Sequence, residues 1–132
     1  IEVEVNDAAE VILHRAWIAC DAGEVVDPDG LTAQLEGGLI QAASWSLYEQ
    51  VTYDGGGITS RDWETYPIIR FNNIPEVKTI LMARPGEPFL GAGETVAGPA
   101  GGAIVNAIHD TVGLRLRRMP FDADAIKLAA MQ

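Results

Sequence analysis

Apolar and polar residues alternate from the first position: Ile1, Val3 and Val5 interleave with Glu2 and Glu4. A period of two is that of a half-buried strand. Asn6-Asp7-Ala8-Ala9 supplies turn chemistry, and Val11 to Cys20 is a longer strand, apolar on both faces apart from His14 and Arg15. The two are expected to form a hairpin. Asp27-Pro28-Asp29-Gly30 then marks a turn leading into a helix, predicted from about Leu31 to about Gln50. Its Leu31, Leu35, Leu39, Ile40, Ala43, Trp45 and Leu47 leave it apolar nearly all round. Such a helix is normally buried in a larger body.

Further along, Val51 to Tyr53 and Ile58-Thr59 flank Asp54-Gly55-Gly56-Gly57, a second hairpin signal. Tyr66 to Asn73 reads as extended or irregular, Val77 to Ala83 as a strand, and Arg84 to Pro99 as a long loop rich in glycine and proline. A second helix starts near Pro99, a good first-turn residue. It carries Ile104, Val105, Ile108 and Val112 on one stripe and stops at Gly113. A short helix near Asp122 to Met131 follows, with Asp122 as its N-cap. No internal repeat and no linker divide the chain. The expected class is α+β: a mixed sheet of short strands and hairpins, with one long and one or two shorter helices.

The 132 residues suit one compact domain or one lobe of a larger one. Starting at Ile1 rather than Met, the sequence reads as a processed or cut chain. Hydrophobic residues make up 48%, enough for a core, while 14 Gly and 7 Pro interrupt it with turns. The formal charge of −10, from nine basic against nineteen acidic side chains, argues against nucleic acid, whose phosphates need a basic surface. It argues equally against an anionic membrane surface. No apolar run reaches the roughly 18 residues of a membrane span. The lone Cys20 excludes an internal disulfide and a cysteine metal cluster.

Two places offer chemistry. In Gly91-Ala92-Gly93-Glu94, glycines on both sides of Ala92 let the backbone come close to a ligand. Glu94, among small uncharged neighbours, is a candidate general base. Taken alone it reads rather as an exposed turn residue or as a first-turn carboxylate favoured by the helix dipole. On the long helix, Gln34 and Gln41 share a face, with Gly37 and Gly38 between them. Two amides beside a glycine notch can hydrogen-bond a flat polar ligand such as a pterin edge. Packing of a neighbouring helix on the glycines is the alternative. His14 and His109 have no ligand spacing around them. Arg115, Arg117 and Arg118 form a small basic cluster that fits a solvated edge or a partner contact. Gly91-Ala92-Gly93 lacks the third glycine of a dinucleotide fingerprint.

Three segments, in order, resemble the end of the molybdopterin-binding subunit of the xanthine dehydrogenase and aldehyde oxidase family. The first runs from Cys20-Asp21-Ala22-Gly23 through Val26-Asp27-Pro28 to Gln34-Leu35-Glu36-Gly37-Gly38-Leu39-Ile40-Gln41. The second is Tyr66-Pro67-Ile68-Ile69-Arg70 with Ile74-Pro75-Glu76-Val77. The third is Gly91-Ala92-Gly93-Glu94, followed by Ala103-Ile104-Val105-Asn106-Ala107-Ile108. The subgroup it most resembles is the isoquinoline 1-oxidoreductase beta-subunit type. Three positions depart from the usual pattern: Thr95 replaces a proline, Ala42 a glycine and Asp27 an asparagine.

The resemblance implies that residues 1–132 are a single C-terminal lobe of a larger molybdopterin-binding domain. It makes Glu94 the catalytic base and Gln34, Ala92 and Gly93 cofactor-binding positions, with no metal ligand from this chain. It implies molybdopterin in a dinucleotide form, carrying molybdenum, and iron–sulfur clusters on a partner subunit. The implied partners are the remainder of the large subunit, the iron–sulfur small subunit and a small-molecule substrate. The reaction would hydroxylate an electron-poor carbon of an N-heterocycle or aldehyde with a water-derived oxygen. The isolated chain would be inactive. The competing reading is a non-catalytic acidic α+β interaction module. The compartment stays open between bacterial cytoplasm and periplasm.

Overall fold

The alternation at the start of the chain builds the expected hairpin. In the computed structural model, which describes residues 1–131, strand β1 (Glu2–Val5) pairs antiparallel with β2 (Val11–Cys20). Asn6 closes the turn, its Oδ1 accepting the backbone N–H groups of Ala8 and Glu10, an Asx-type turn. Across the pair, His14 Nε2 lies 2.9 Å from Glu4 Oε2, and Arg15 Nε donates to Glu2 Oε2 at 2.7 Å. Both pairs are solvent-exposed, so each adds little to stability. Two further short strands, β3 (Tyr53–Asp54) and β4 (Gly57–Ile58), form the second hairpin, shorter than its flanking residues suggest. Strand β5 (Glu76–Leu81) lies parallel to the other side of β2, giving the sheet order β1-β2-β5. A parallel neighbour requires a crossover, and the long helix α1 (Pro28–Leu47) lies within it.

α1 begins and ends about one turn earlier than its hydrophobic pattern predicts. Asp27 is its N-cap, with Oδ1 accepting from Gly30 N at 3.0 Å. The predicted entry turn is therefore the first helical turn, and Pro28 occupies a position where no N–H is needed. α1 buries Leu35, Leu39, Ala42, Ala43, Ser46 and Leu47. It is not buried all round. Ala33, Gln34, Gly37, Gln41 and Trp45 recur at helical spacing and leave one stripe exposed.

Helix α2 (Ala97–Val112) places Pro99 third, still within the turn whose N–H groups have no helical partner. It buries Ala100, Ile104 and Ile108 and ends at Gly113, whose φ of 75° makes the left-handed cap that favours glycine. Helix α3 (Ala123–Ala130) is capped by Asp122, which accepts from Ala125 N at 2.8 Å. Leu13, Ala43, Leu47, Ile104, Ile108, Phe121 and Ile126 form the main core. A smaller cluster of Ala16, Leu39, Ala42 and Ala100 lies beneath the start of α2. The residues between α1 and β5 make an excursion containing the β3–β4 hairpin and a 3-10 turn, Phe71–Asn73. Ile69 N donates to Ser44 Oγ at 3.0 Å, tying its far end to α1, and Tyr66 Oη donates to Glu49 Oε2, just past that helix, at 2.8 Å. Helices and a small mixed sheet make the fold α+β, as the element order predicts.

Candidate functional site

Two irregular segments meet at the C-terminal end of the parallel pair. One leaves β2 after Cys20 and runs to the start of α1; the other leaves β5 and runs to the start of α2. They fasten together by backbone hydrogen bonds: Met82 N to Cys20 O at 2.8 Å, Leu90 N to Ala22 O at 2.9 Å, and Glu24 N to Glu87 O at 3.3 Å. Arg84 Nε donates to Asp21 Oδ2 at 2.9 Å. This guanidinium, and then the Gly23 N–H that Asp21 Oδ1 also accepts, hold the Asp21 carboxyl below the usual range for aspartate.

The second segment ends in Gly91-Ala92-Gly93-Glu94, and here it meets α1. Gln34 Nε2 donates to Gly93 O at 3.4 Å, a contact between residues 59 apart in sequence. Val96 lies against Gly38 one turn further along α1. Thr95 Oγ1 donates back to Ala92 O at 3.2 Å and Ala97 N to Glu94 O at 3.3 Å, closing the loop onto the first turn of α2. Glu94 itself is exposed.

Grooves open on either side of Leu90–Ala92. The larger, about 420 Å³, is lined chiefly by apolar groups, among them Trp17, Cys20, Leu35, Leu39, Val96 and Ala103. The smaller, about 270 Å³, is lined by Asp27, Leu31, Gln34, Phe89, Ala92 and Gly93. Three of the four predicted site residues, Gln34, Ala92 and Gly93, therefore share one groove. Glu94 is next in sequence but outside the lining of both grooves. Gln41 is exposed on the same stripe of α1 as Gln34, and Gly37 between them faces open space.

The donor set suits a flat, polar, hydrogen-bonding group. An amide offers both donor and acceptor, and a side-chain-free backbone allows close approach. Among the described residues no group of His, Cys, Asp and Glu could hold a metal ion directly. His14 is engaged with Glu4, and Arg115 Nη1 donates to Asn106 Oδ1 at 3.1 Å, so neither joins the site. The Asp21–Arg84 pair has no counterpart among the sequence candidates. Its partners lie 63 residues apart, and nothing local marks Arg84.

The comparisons define the class. Residues 1–75 match the molybdopterin cofactor-binding domain, and the chain belongs to that family. Its relatives bear out the likeness to the xanthine dehydrogenase and aldehyde oxidase group. The chain is 38% identical over 120 residues to a nicotinate dehydrogenase chain of Pseudomonas putida, covering 91% of this chain and 10% of that protein. It is 32% identical over 120 residues to the beta chain of isoquinoline 1-oxidoreductase of Brevundimonas diminuta, covering 90% and 15%. It is 30% identical over 131 residues to a probable xanthine dehydrogenase chain of Bacillus subtilis, covering 96% and 18%. The chain thus spans between 10% and 18% of the length of these three relatives. Quinoline 2-oxidoreductase from Pseudomonas putida superposes over 98% of this chain and 18% of its own, with a TM-score of 0.90 at 22% identity. Aldehyde oxidoreductase from Desulfovibrio gigas covers 96% and 14%, with a TM-score of 0.81 at 24% identity. At such identities these two establish the shared fold. Among the described residues, no helix is long and apolar enough to cross a membrane.

Proposed function

We propose that this chain serves as a C-terminal lobe of the large subunit of a molybdenum hydroxylase, with Glu94 as its base. The reaction would convert an electron-poor C–H of an N-heterocycle or aldehyde into C–OH. The oxygen comes from water, and two electrons leave the carbon. When bound, the molybdenum cofactor supplies the two-electron redox chemistry. The remaining work falls to this chain's own residues. Gln34 holds the edge of the pterin, in a dinucleotide form, through its amide. Ala92 and Gly93 offer backbone without bulk beside it. A Glu94 carboxylate oxygen takes the proton released from the water-derived hydroxyl. Electrons pass to iron–sulfur clusters on a small partner subunit, and the rest of the large subunit completes the pocket. The isolated chain is inactive on this reading.

The observation that supports it is the hydrogen bond from Gln34 Nε2 to Gly93 O, which joins two distant motif segments beside one groove. The names of the relatives, a nicotinate dehydrogenase and an isoquinoline 1-oxidoreductase, favour an N-heterocycle as substrate.

The test is Glu94→Gln in the full-length enzyme, with molybdenum content measured beside turnover. Loss of a general base lowers kcat by about 10²–10⁴-fold, with cofactor loading close to normal. Gln34→Ala should reduce bound cofactor first. Full turnover with full molybdenum in Glu94→Gln would favour the non-catalytic alternative for this loop.

A further inference from the structure

The glycine loop is exposed and rich in glycine, yet a base has to be placed to within a fraction of an ångström. Something must hold the loop, and the conspicuous device lies outside it. Gly23 is buried with φ +70°. A Cβ built on it would lie 2.0 Å from Pro88 O and 2.9 Å from Pro88 C. Real atoms do not approach so closely, so the two backbones touch because residue 23 has no side chain. On either side of this contact the segments are joined by Leu90 N to Ala22 O and Glu24 N to Glu87 O. Asp21 reinforces it from two directions, accepting from Gly23 N at 3.2 Å and from Arg84 Nε at 2.9 Å. From Leu90 only Gly91, Ala92 and Gly93 separate this clamp from Glu94.

We propose that Gly23, seated against Pro88 and braced by the Asp21–Arg84 pair, is a positioning residue that sets the stem of the Glu94 loop. The inference rests on the reading of Glu94 as base, but its structural part can be tested separately. Gly23 touches neither substrate nor cofactor in this scheme. It acts by fixing where Leu90 leaves the body of the fold, and so where Gly93 meets Gln34. A side chain at residue 23 forces the stem outward and releases the loop.

The experiment compares Gly23→Ala with Gly113→Ala. Gly113 has φ +75° and open space where its Cβ would go. It therefore carries the same backbone strain without the steric block. Amide hydrogen exchange is measured across residues 82–96 in the 132-residue chain. Gly23→Ala should accelerate exchange there at least about ten-fold beyond Gly113→Ala. In the full-length holoenzyme it should lower kcat by about 10²-fold, as a small misplacement of a catalytic group does, with KM and molybdenum content little changed. Equal exchange in the two variants overturns the proposal. So does a loosened loop with unchanged kcat. If Gly23→Ala does not fold, Arg84→Met serves instead, since its side chain is exposed. Loss of that brace should accelerate exchange at residues 84–90 about two- to five-fold, and no change there overturns the proposal. Failure of the Glu94 reading is seen separately, in full turnover of Glu94→Gln.

Discussion

Asp21 shows how a surface carboxylate can matter to a loop that begins sixty residues away in the chain. Its lowered pKa comes first from Arg84 and then from the Gly23 N–H. A carboxyl whose folded pKa is depressed stabilises the fold at pH values above its unfolded pKa, roughly 3.9. That contribution disappears as the pH falls through the depressed value. Asp21→Asn keeps an acceptor for Gly23 N but loses the charge. At neutral pH it should lower the thermal midpoint by roughly a degree or two, as an exposed pair allows. Once the pH is below the depressed value the variant and the parent should melt together, and a constant difference across the range would show that charge is not the cause. At this scale sequence and structure divide unevenly. Gln34, Gly93 and Glu94 are legible as residue types in motifs, but the meeting of Gln34 with Gly93 is not, because no local pattern encodes a contact spanning 59 residues. The Gly23–Pro88 contact is invisible in sequence for the same reason.

The elements follow local chemistry closely where a cap or a breaker marks the end. Asp122 and Gly113 stand where the helix signals place them. α1 is displaced by about a turn because its hydrophobic pattern starts at Leu31, whereas the backbone turns helical at Pro28 once Asp27 has capped it. That cap sits two turns before Gln34 on the same helix. Asp27→Ala should cost about 1 kcal/mol, and Asp27→Ser should recover most of it, because serine also accepts from the first turn. Chemical denaturation of the isolated chain checks this, and equal stability of the Ala and Ser variants would remove the capping argument. The short β3–β4 hairpin is less legible. Its residues alternate like a strand, but only two pair on each side because nothing packs over them; Tyr53 and Ile58 are both exposed.

Across the whole molecule, large apolar groups remain in contact with solvent: Trp17 at 50%, Trp45 at 43%, Trp63 at 65% and Phe71 at 96% exposure. The sequence points to such surface on α1, yet the sheet and the excursion between α1 and β5 carry more of it than α1, where Trp45 stands exposed. α1 buries Leu35, Leu39 and Leu47, while the excursion leaves Tyr53, Trp63 and Phe71 exposed. Exposed patches of this kind drive association, whereas a net charge of −10 opposes it. Adding salt should therefore increase self-association of the isolated chain, because screening removes the repulsion and leaves the apolar attraction. Sedimentation velocity at low and high salt measures this, and association that weakens with salt would mean that ion pairs drive it. The parallel pairing of β2 with β5 carries a consequence of another kind. β1 and β2 are neighbours in sequence and can zip together as soon as both exist. β5 can dock only after residues 21–75 have been arranged around it, and non-local pairings of this sort are slow to form. The strand that leads directly into the Glu94 loop is thus expected to join the sheet late, so on the growing polypeptide the hairpin and long helix would take shape before that loop does.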